Sequence, residues 1–268
     1  MTIGKALTIA GSDCGGGAGI QADLKTFQER DVFGMSVITV LTAQNTLGVH
    51  GVFPQTLEAI EGQIDAIFQD MGANAVKTGM LFSEEIINLV ADKLVQYEVE
   101  NVVVDPVMIA KGGAPLLQKQ AMNALKTKLL PLATVITPNI PEACEILGIS
   151  SIDTLEEMKD AASALQKLGP RFVVLKGGHL EDENDAIDVL FDGENFHYFS
   201  AKRIMTIHTH GTGCTFAAAI TAEFAKGQDI RAAVTTAKNF IQAAIEQSLC
   251  IGKGIGPTRH SAYRNKKD

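Results

Sequence analysis

The chain has 268 residues, of which 46% are hydrophobic and 20% charged, and its formal net charge is −8. This composition is that of a globular domain and excludes a disordered chain, and no apolar run approaches the roughly 18 residues of a membrane-spanning helix. An acidic chain without a long basic run is unsuited to nucleic acid or anionic membranes, so we expect neither as a partner. Four scattered cysteines without a CxxC pair argue against zinc and favour a reducing cytoplasm: Cys14, Cys144, Cys214 and Cys250.

Short β-branched runs alternate with longer helical patterns along the chain. The run KALTIAG at residues 5–11 predicts a first strand rather than a signal peptide, and residues 18–31 predict the helix that follows. Further strand-like runs are GMSVITVLTAQ, NAVKTGM, NVVVDPVM, ATVITPN and RFVVLKGG, with helical patterns between them. The alternation predicts one domain over residues 1–268, built on a mostly parallel sheet with helices on both faces.

The segment DAIDVLFDGENFHYFS at residues 185–200 has a different pattern, because Asp-Gly separates two strand-like runs. It predicts an antiparallel hairpin at one edge of the sheet. Two helical patterns, TFAAAITAEFAKG and IRAAVTTAKNFIQAAIEQSL, then close the chain. Ligands of open α/β sheets bind beyond the carboxyl ends of the strands, so we expect the functional residues in the segments that follow them.

Two glycine-rich segments follow strand-like runs and open helices. The first, GSDCGGGAGIQAD at residues 11–23, suits a substrate loop, with a tight turn or dinucleotide binding as alternatives; the chain contains no Walker A motif. The second, HTHGTGCTFAAAI at residues 208–220, predicts free N–H groups at a helix start, which favour an anion. Cys214 lies in that first turn, where a lowered thiol pKa is expected unless it is simply a small buried cysteine.

Two further segments carry polar side chains beyond strands. Asn139 and Glu142 of TPNIPEA are spaced either for a magnesium–phosphate site or for a helix cap with its capping-box glutamate. Lys176 of VLKGGH suits a nucleotide phosphate contact, although a lysine in a turn is the commoner meaning of such a pattern.

Taken in order, the motifs resemble one enzyme family. GSDxxGGAGIQADLKTF, TAQNTxGV, KTGML, DPVMxAKGG, TPNxPEA, KGGH and HGTGCTFAAA are similar to those of hydroxymethylpyrimidine/phosphomethylpyrimidine kinases of thiamine biosynthesis. The resemblance runs from about residue 5 to the GPTRH segment near residue 260. It implies a ribokinase-like α/β fold and two transfers of the ATP γ-phosphoryl group, first to 4-amino-5-hydroxymethyl-2-methylpyrimidine and then to its monophosphate.

The resemblance also implies roles for individual residues. Gln44 would read the aminopyrimidine edge, since an amide both donates and accepts, and the rest of the substrate pocket would comprise Gly11, Ala18, Asp23, Met80 and Val107. Glu142 would hold Mg²⁺, with Asp105 as a further contributor, and Lys176, Asn139 and Thr212 would contact ATP. Cys214 would activate or orient the substrate hydroxyl, while Gly211, Thr212 and Gly213 stabilise the transferred phosphoryl group.

Other functions remain as alternatives. A vitamin B6 kinase is the main alternative, because the related pyridoxal kinases share these motifs. They typically carry a second cysteine where this chain has Ala110, and that difference, together with the intact TAQNTLGV segment, favours the pyrimidine kinase. A ligand-sensing homologue without turnover is opposed by the complete set of motif residues. A hydrolase using Cys214 and His210 is opposed because no carboxylate that would orient His210 is evident in the sequence. A homodimer is expected by analogy with related vitamin kinases.

Overall fold

The computed structural model describes residues 3–109, 113, 116–178, 180 and 185–266. Within them nine strands form one sheet in the order β3-β2-β1-β4-β5-β6-β7-β8-β9. The strands are β1 (Lys5–Asp13), β2 (Phe33–Asn45), β3 (Gly48–Pro54), β4 (Ala75–Thr78), β5 (Val102–Val104), β6 (Val135–Ile136), β7 (Phe172–Lys176), β8 (Asp185–Phe191) and β9 (Phe196–Lys202).

The central strands, from β2 through β1 and β4 to β7, are parallel, as the sequence predicted. The predicted hairpin is also present, since β8 pairs antiparallel with both β7 and β9. The prediction of an antiparallel hairpin at one edge was incomplete, because β2 and β3 form a second hairpin at the opposite edge. Its turn is stabilised by Asn45, whose Oδ1 accepts a hydrogen bond from the Leu47 N–H at 2.9 Å.

Eight α-helices occur in the described residues: α1 (Gly19–Glu29), α2 (Leu57–Phe68), α3 (Glu84–Gln96), α4 (Ala121–Ala124), α5 (Ile140–Leu147), α6 (Leu155–Gln166), α7 (Thr212–Ala225) and α8 (Ile230–Glu246). Helix α4 continues into a π-helical turn and a short 3₁₀ turn, and a second 3₁₀ segment spans His260–Lys266. Oxygen-bearing N-caps such as Thr56, Ser83 and Asp229 accept first-turn N–H groups, which explains where their helices begin.

Helices cover both faces of the sheet, and the alternation of strand residues divides the core between them. Val102 and Val104 of β5 pack with the layer that contains α2 to α6, whereas Val103 packs with the layer of α1, α7 and α8. Successive strand side chains point to opposite faces, so a strand buried on both sides is apolar throughout. Within the described residues, no helix has both the length and the apolarity that crossing a bilayer requires.

Helix α7 is the most buried helix and determines where the site lies. All of its residues from Thr215 to Ala225 are buried. Its alanine-rich surface lets it pack closely on β1, β4 and β5, in the middle of the sheet. The first turn of α7 is therefore held at the carboxyl ends of the central strands, where ligands of such sheets bind.

Candidate active site

A cavity of about 550 Å³ opens at the carboxyl ends of the central strands. The ends of β1, β4 and β7 and the first turns of α1 and α7 form its walls. Apart from Asp23, every site residue expected from the family resemblance lines it: Gly11, Ala18, Gln44, Met80, Asp105, Val107, Asn139, Glu142, Lys176, Gly211, Thr212, Gly213 and Cys214. The fold thus brings together residues that are up to 203 positions apart in the chain.

A second cavity of about 520 Å³ adjoins the first. The two share Asn139, Lys176, Thr212 and Gly213. The second cavity has apolar walls from Ile204, Met205, Phe216, Ile241 and Ile245, and it contains the ion pair of Lys238 with Asp188, whose Nζ and Oδ2 lie 2.7 Å apart. The sequence analysis did not predict these walls, because all of them except Phe216 lie outside the recognised motifs.

The junction of the two cavities is the first turn of α7. Gly211, the N-cap, has φ of 82°, and a Cβ placed there would lie 1.8 Å from the carbonyl oxygen of Gly17, so only glycine fits. No side chain caps this helix, and Thr212 Oγ1 instead donates to Thr209 O at 2.7 Å. The Thr212 N–H donates to Thr209 O at 3.3 Å, whereas the other first-turn N–H groups of this helix, which has no side-chain cap, are available to a bound anion.

Lys176 and Asp105 stand beside this turn. Lys176 Nζ lies 3.3 Å from Asp105 Oδ1, and a Cβ on Gly213 would be 3.4 Å from the same Nζ. Burial alone would lower the pKa of Lys176, but the carboxylates of Asp105 and Glu142 outweigh it and raise that pKa. Lys176 is therefore a cation at neutral pH, exposed to both cavities.

The predicted helix cap formed by Asn139 and Glu142 is confirmed. Asn139 Oδ1 accepts from the Glu142 N–H, and Glu142 Oε2 accepts from the Asn139 N–H, both at 2.8 Å. This capping box begins α5. Because both residues also line the cavity, capping and ligand contact are compatible, and the magnesium role stays a prediction.

The residues present fit a magnesium ion that is held mainly by a nucleotide. Asp105 is 2% exposed, and its Oδ2 has no hydrogen-bond partner among the described residues. The described residues contain no group of three or more His, Cys, Asp or Glu side chains that could hold a metal by themselves. Mg²⁺ at kinase sites typically uses one or two carboxylates, with phosphates and water completing its shell.

The structure overturns the expected low pKa of Cys214. Burial raises the pKa of this thiol to about 12, with Asp23 and Asp105 adding to the effect and Lys77 and the Gly19 N–H opposing it. The helix N-terminus is too weak to offset desolvation of a thiolate. At neutral pH Cys214 is a neutral thiol facing the cavity.

The structure also corrects the placement of Asp23. Its side chain is 0% exposed, accepts from Thr8 Oγ1 at 2.6 Å and lies 2.9 Å from Lys77 Nζ, so it stands behind the cavity wall. Lys77 itself belongs to the wall, and its pKa is raised because Asp23, Cys214 and Asp105 outweigh the effect of burial. A lysine within the apolar run NAVKTGM was the signal that could have revealed this pair.

A carboxylate does orient His210, contrary to the expectation from the sequence. Asp13 Oδ2 lies 2.8 Å from His210 Nε2, and the imidazole in turn reaches Gln44. Among the described residues, however, no hydrogen bond joins His210 to Cys214. The pair needed for a Cys/His hydrolase is therefore not formed.

The part of the first cavity between Gly11, Met80 and Val107 has apolar walls. Met80 packs with Val40, Leu116 and Val107, and a Cβ on Gly11 would lie 3.1 Å from Met80 Sδ. Such walls suit a flat heterocycle, while Gln44 supplies an amide that can recognise its polar edge.

The fold and the paired cavities define a small-molecule kinase of the ribokinase-like class, and two comparisons specify the family. The sequence profile described as phosphomethylpyrimidine kinase matches residues 13–259. The chain is 55% identical to a hydroxymethylpyrimidine/phosphomethylpyrimidine kinase of Bacillus subtilis, over 98% of this chain and 97% of that protein. It therefore belongs to the phosphomethylpyrimidine kinase family.

Relatives with another name are also similar. A pyridoxine kinase of Bacillus subtilis is 47% identical over 98% of each chain. The crystal structure of an ADP complex of Bacillus subtilis pyridoxal kinase superposes with a TM-score of 0.91 at 45% identity, covering 98% of this chain and 100% of that one. Ala110, the position expected to separate the two groups, lies outside the described residues.

Proposed function

We propose that this protein transfers the γ-phosphoryl group of ATP to the hydroxymethyl group of 4-amino-5-hydroxymethyl-2-methylpyrimidine and then to the resulting monophosphate. The observation that carries the proposal is the meeting of two cavities at the uncapped first turn of α7, with Lys176 between them. One cavity has the size and walls for a heterocycle, and the other for a nucleotide. An alcohol substrate in the first cavity and ATP in the second would meet at this turn, where anion-binding groups converge.

On the acceptor side, the pyrimidine ring would lie between Met80, Val107 and the Gly11–Ala18 segment, with its amino edge on Gln44. Asp23 has no direct contact in this arrangement and acts through Lys77. The hydroxymethyl group would then point toward Cys214 and the first turn of α7.

On the donor side, Lys176, Asn139 and Thr212 would contact the ATP phosphates. Asp105 and Glu142 are the residues that would hold Mg²⁺, which supplies neutralisation of phosphate charge when it is bound with the nucleotide. The N–H groups of Gly211 and Gly213 would face the oxygens of the transferred group, which carry the negative charge of a loose transition state. The Thr212 N–H would join them by exchanging its 3.3 Å bond to Thr209 O for the phosphoryl group.

Cys214 serves as an orienting group rather than a resting base. A thiol with a pKa of about 12 is protonated at neutral pH, so its sulfur can accept a weak hydrogen bond from the substrate hydroxyl but carries no stored negative charge. Phosphoryl transfer through a loose transition state depends mainly on positioning and charge stabilisation. As the new oxygen–phosphorus bond forms and the bond from the γ-phosphorus to the bridging oxygen of ATP breaks, the hydroxyl proton would pass to an oxygen of the transferred phosphoryl group.

A vitamin B6 kinase is the second candidate, favoured by the relatives named pyridoxine and pyridoxal kinase. The deciding experiment incubates the protein with Mg-ATP and, separately, the hydroxymethylpyrimidine, its monophosphate and pyridoxal, and follows products by mass. Diphosphate formed from the monophosphate would support the first proposal. Pyridoxal phosphate without any pyrimidine diphosphate would favour the second, and a Lys176→Met variant controls for contaminating kinases.

We also propose that the enzyme acts as one domain, as a homodimer and in the cytoplasm. The described cysteines are all unpaired, including the exposed Cys14 and Cys250, which suits a reducing compartment. The dimer rests on analogy with related kinases, and light scattering coupled to size exclusion would test it directly.

A further inference from the structure

A chain of hydrogen bonds connects the first glycine-rich loop to Gln44. Asp13 accepts the N–H groups of Gly15, Gly17 and Ala18 at 2.8, 3.0 and 2.9 Å, and its Oδ2 also lies 2.8 Å from His210 Nε2. Burial alone would raise the pKa of Asp13, but the bonds to His210 and to the backbone lower it. Asp13 is therefore an ionised acceptor, so Nε2 of His210 must carry a hydrogen in the neutral and the charged imidazole alike.

The imidazole of His210 is fixed in position as well as in protonation. A Cβ on Gly17 would lie 2.5 Å from His210 Cδ2, so the ring packs directly on that glycine. The backbone on both sides is held, because the His210 N–H donates to Gly256 O and the Thr258 N–H donates to His210 O, each at 3.1 Å. The Nε2–H group, which donates to Asp13 Oδ2, is thus held in a constant position at the cavity wall.

The amide of Gln44 has two neighbours that together determine its orientation. Its Nε2 lies 3.3 Å from His210 Nε2, which places two donors face to face. Its Oε1 lies 3.4 Å from Thr42 Oγ1, yet the single hydroxyl hydrogen of Thr42 is directed at Ser12 O, 2.9 Å away. Turning the amide by half a rotation removes both mismatches: Oε1 then faces the Nε2–H of His210, whose hydrogen it shares with Asp13 Oδ2, and Nε2 donates to Thr42.

We infer that His210 is a positioning residue for substrate selectivity, which holds the Gln44 amide oxygen on its own side and the amide nitrogen toward Thr42. This inference rests on the proposed function and concerns the same cavity. In that orientation Gln44 accepts from the substrate beside His210 and donates on the Thr42 side. An amino group next to a ring nitrogen matches this pattern.

The same orientation disfavours pyridoxal. In the aminopyrimidine, the group next to the hydroxymethyl carbon is an amino group, which donates. In pyridoxal the corresponding neighbour is an aldehyde, whose oxygen only accepts and would face the amide oxygen of Gln44. An unmatched polar pair in a desolvated site costs binding energy, so the fixed amide favours the aminopyrimidine.

The test compares kcat/KM for the hydroxymethylpyrimidine and for pyridoxal in the wild-type protein and in His210→Leu. We expect kcat/KM to fall by about 10- to 100-fold with the pyrimidine, and with pyridoxal to rise or to fall by less than about 3-fold, since the fixed amide favours only the pyrimidine. His210→Gln keeps an N–H donor at similar reach and should retain more of the selectivity. His197→Leu is the matched control, because His197 also bonds an aspartate, Asp192 Oδ2 at 2.7 Å, in the distant β8–β9 turn.

Equal losses with both substrates in His210→Leu, or no recovery of selectivity in His210→Gln, would overturn the inference. Failure of the wild-type protein to phosphorylate the pyrimidine at all would instead overturn the proposed function. A measurement that does not depend on turnover is ¹⁵N NMR of the wild-type imidazoles, assigned by the signal lost in His210→Leu. We expect Nε2 of His210 to be protonated, and an unprotonated Nε2 would contradict the inference.

Discussion

Replacing Lys77 with methionine should strongly destabilise the protein. Lys77 Nζ lies 2.9 Å from Asp23 Oδ2, both side chains are 0% exposed, and Asp23 Oδ1 has no partner among the described residues. Methionine fills the volume of the lysine stem but leaves the carboxylate with Thr8 Oγ1 alone. Losing one member of a buried pair costs about 3–5 kcal/mol, so we expect that decrease in the free energy of unfolding at pH 7. The melting temperature should fall by on the order of 10 °C.

The loss of stability caused by Lys77→Met should be smaller at acidic pH. Burial raises the pKa of Asp23 in the native protein, and Lys77 opposes that rise, so the Lys77→Met variant has a still higher Asp23 pKa. A carboxyl group whose pKa is raised by folding favours the native state below its unfolded pKa and loses that contribution as pH rises through the folded pKa. The difference in unfolding free energy between variant and wild type should therefore narrow from pH 7 to pH 5.

Urea unfolding followed by circular dichroism at both pH values measures these quantities. The double variant Asp23→Asn/Lys77→Met removes the unpaired charge and should regain most of the loss. Lys159→Met breaks a surface pair with Glu156, which is 77% exposed, and should cost less than about 0.5 kcal/mol. If Lys77→Met cost no more than Lys159→Met, the assignment of a buried charged pair would be wrong.

Three further predictions concern the first turn of α7 and its neighbours. Gly211→Ala should reduce kcat for phosphoryl transfer by at least about 100-fold, because a Cβ at φ 82° would meet backbone at 1.8 Å, whereas Gly72→Ala, also at positive φ but with open space, should leave kcat near wild type. Lys176→Met should lower kcat by about 100- to 1,000-fold by removing a cation shared by both cavities; unchanged turnover would exclude it from phosphate contact. Cys214 should resist iodoacetamide at pH 8 while the exposed Cys250 reacts, as peptide mass spectrometry can show, and equal labelling would contradict a thiol pKa of about 12.

Much of the fold could be predicted because the central strands are buried on both faces. Runs such as Val102–Val104 are apolar throughout, which distinguishes them from the alternating pattern of a half-exposed strand. The hairpin around Asp192 and Gly193 carries an explicit turn signal. The β2–β3 hairpin does not, since its turn depends on the side chain of Asn45 within a segment also notable as a substrate motif.

The site was predictable where residues follow strands and unpredictable where burial decides their role. Gln44 and Lys176 lie at the carboxyl ends of β2 and β7, the first turn of α7 opens a helix, and all three meet in one cavity. Asp23 lies one turn inside α1, and only the tertiary structure shows that its side chain faces Lys77 rather than the cavity. The second cavity is lined by residues 202–206, which belong to no motif, and by residues of β8, α7 and α8, so no local pattern predicts it.

Cys214 shows how the magnitudes of two opposing effects decide the chemistry of a residue. A helix N-terminus stabilises a nearby anion by about 0.3–1 kcal/mol, rising to about 2 kcal/mol in partly buried geometries. A rise of the thiol pKa from 9.0 to about 12 corresponds to about 4 kcal/mol against the thiolate. Desolvation therefore outweighs the dipole, although the sequence reveals only the dipole. The same first turn can still bind a phosphate, because the phosphate group of a ligand is already ionised when it binds and no buried side chain has to lose a proton.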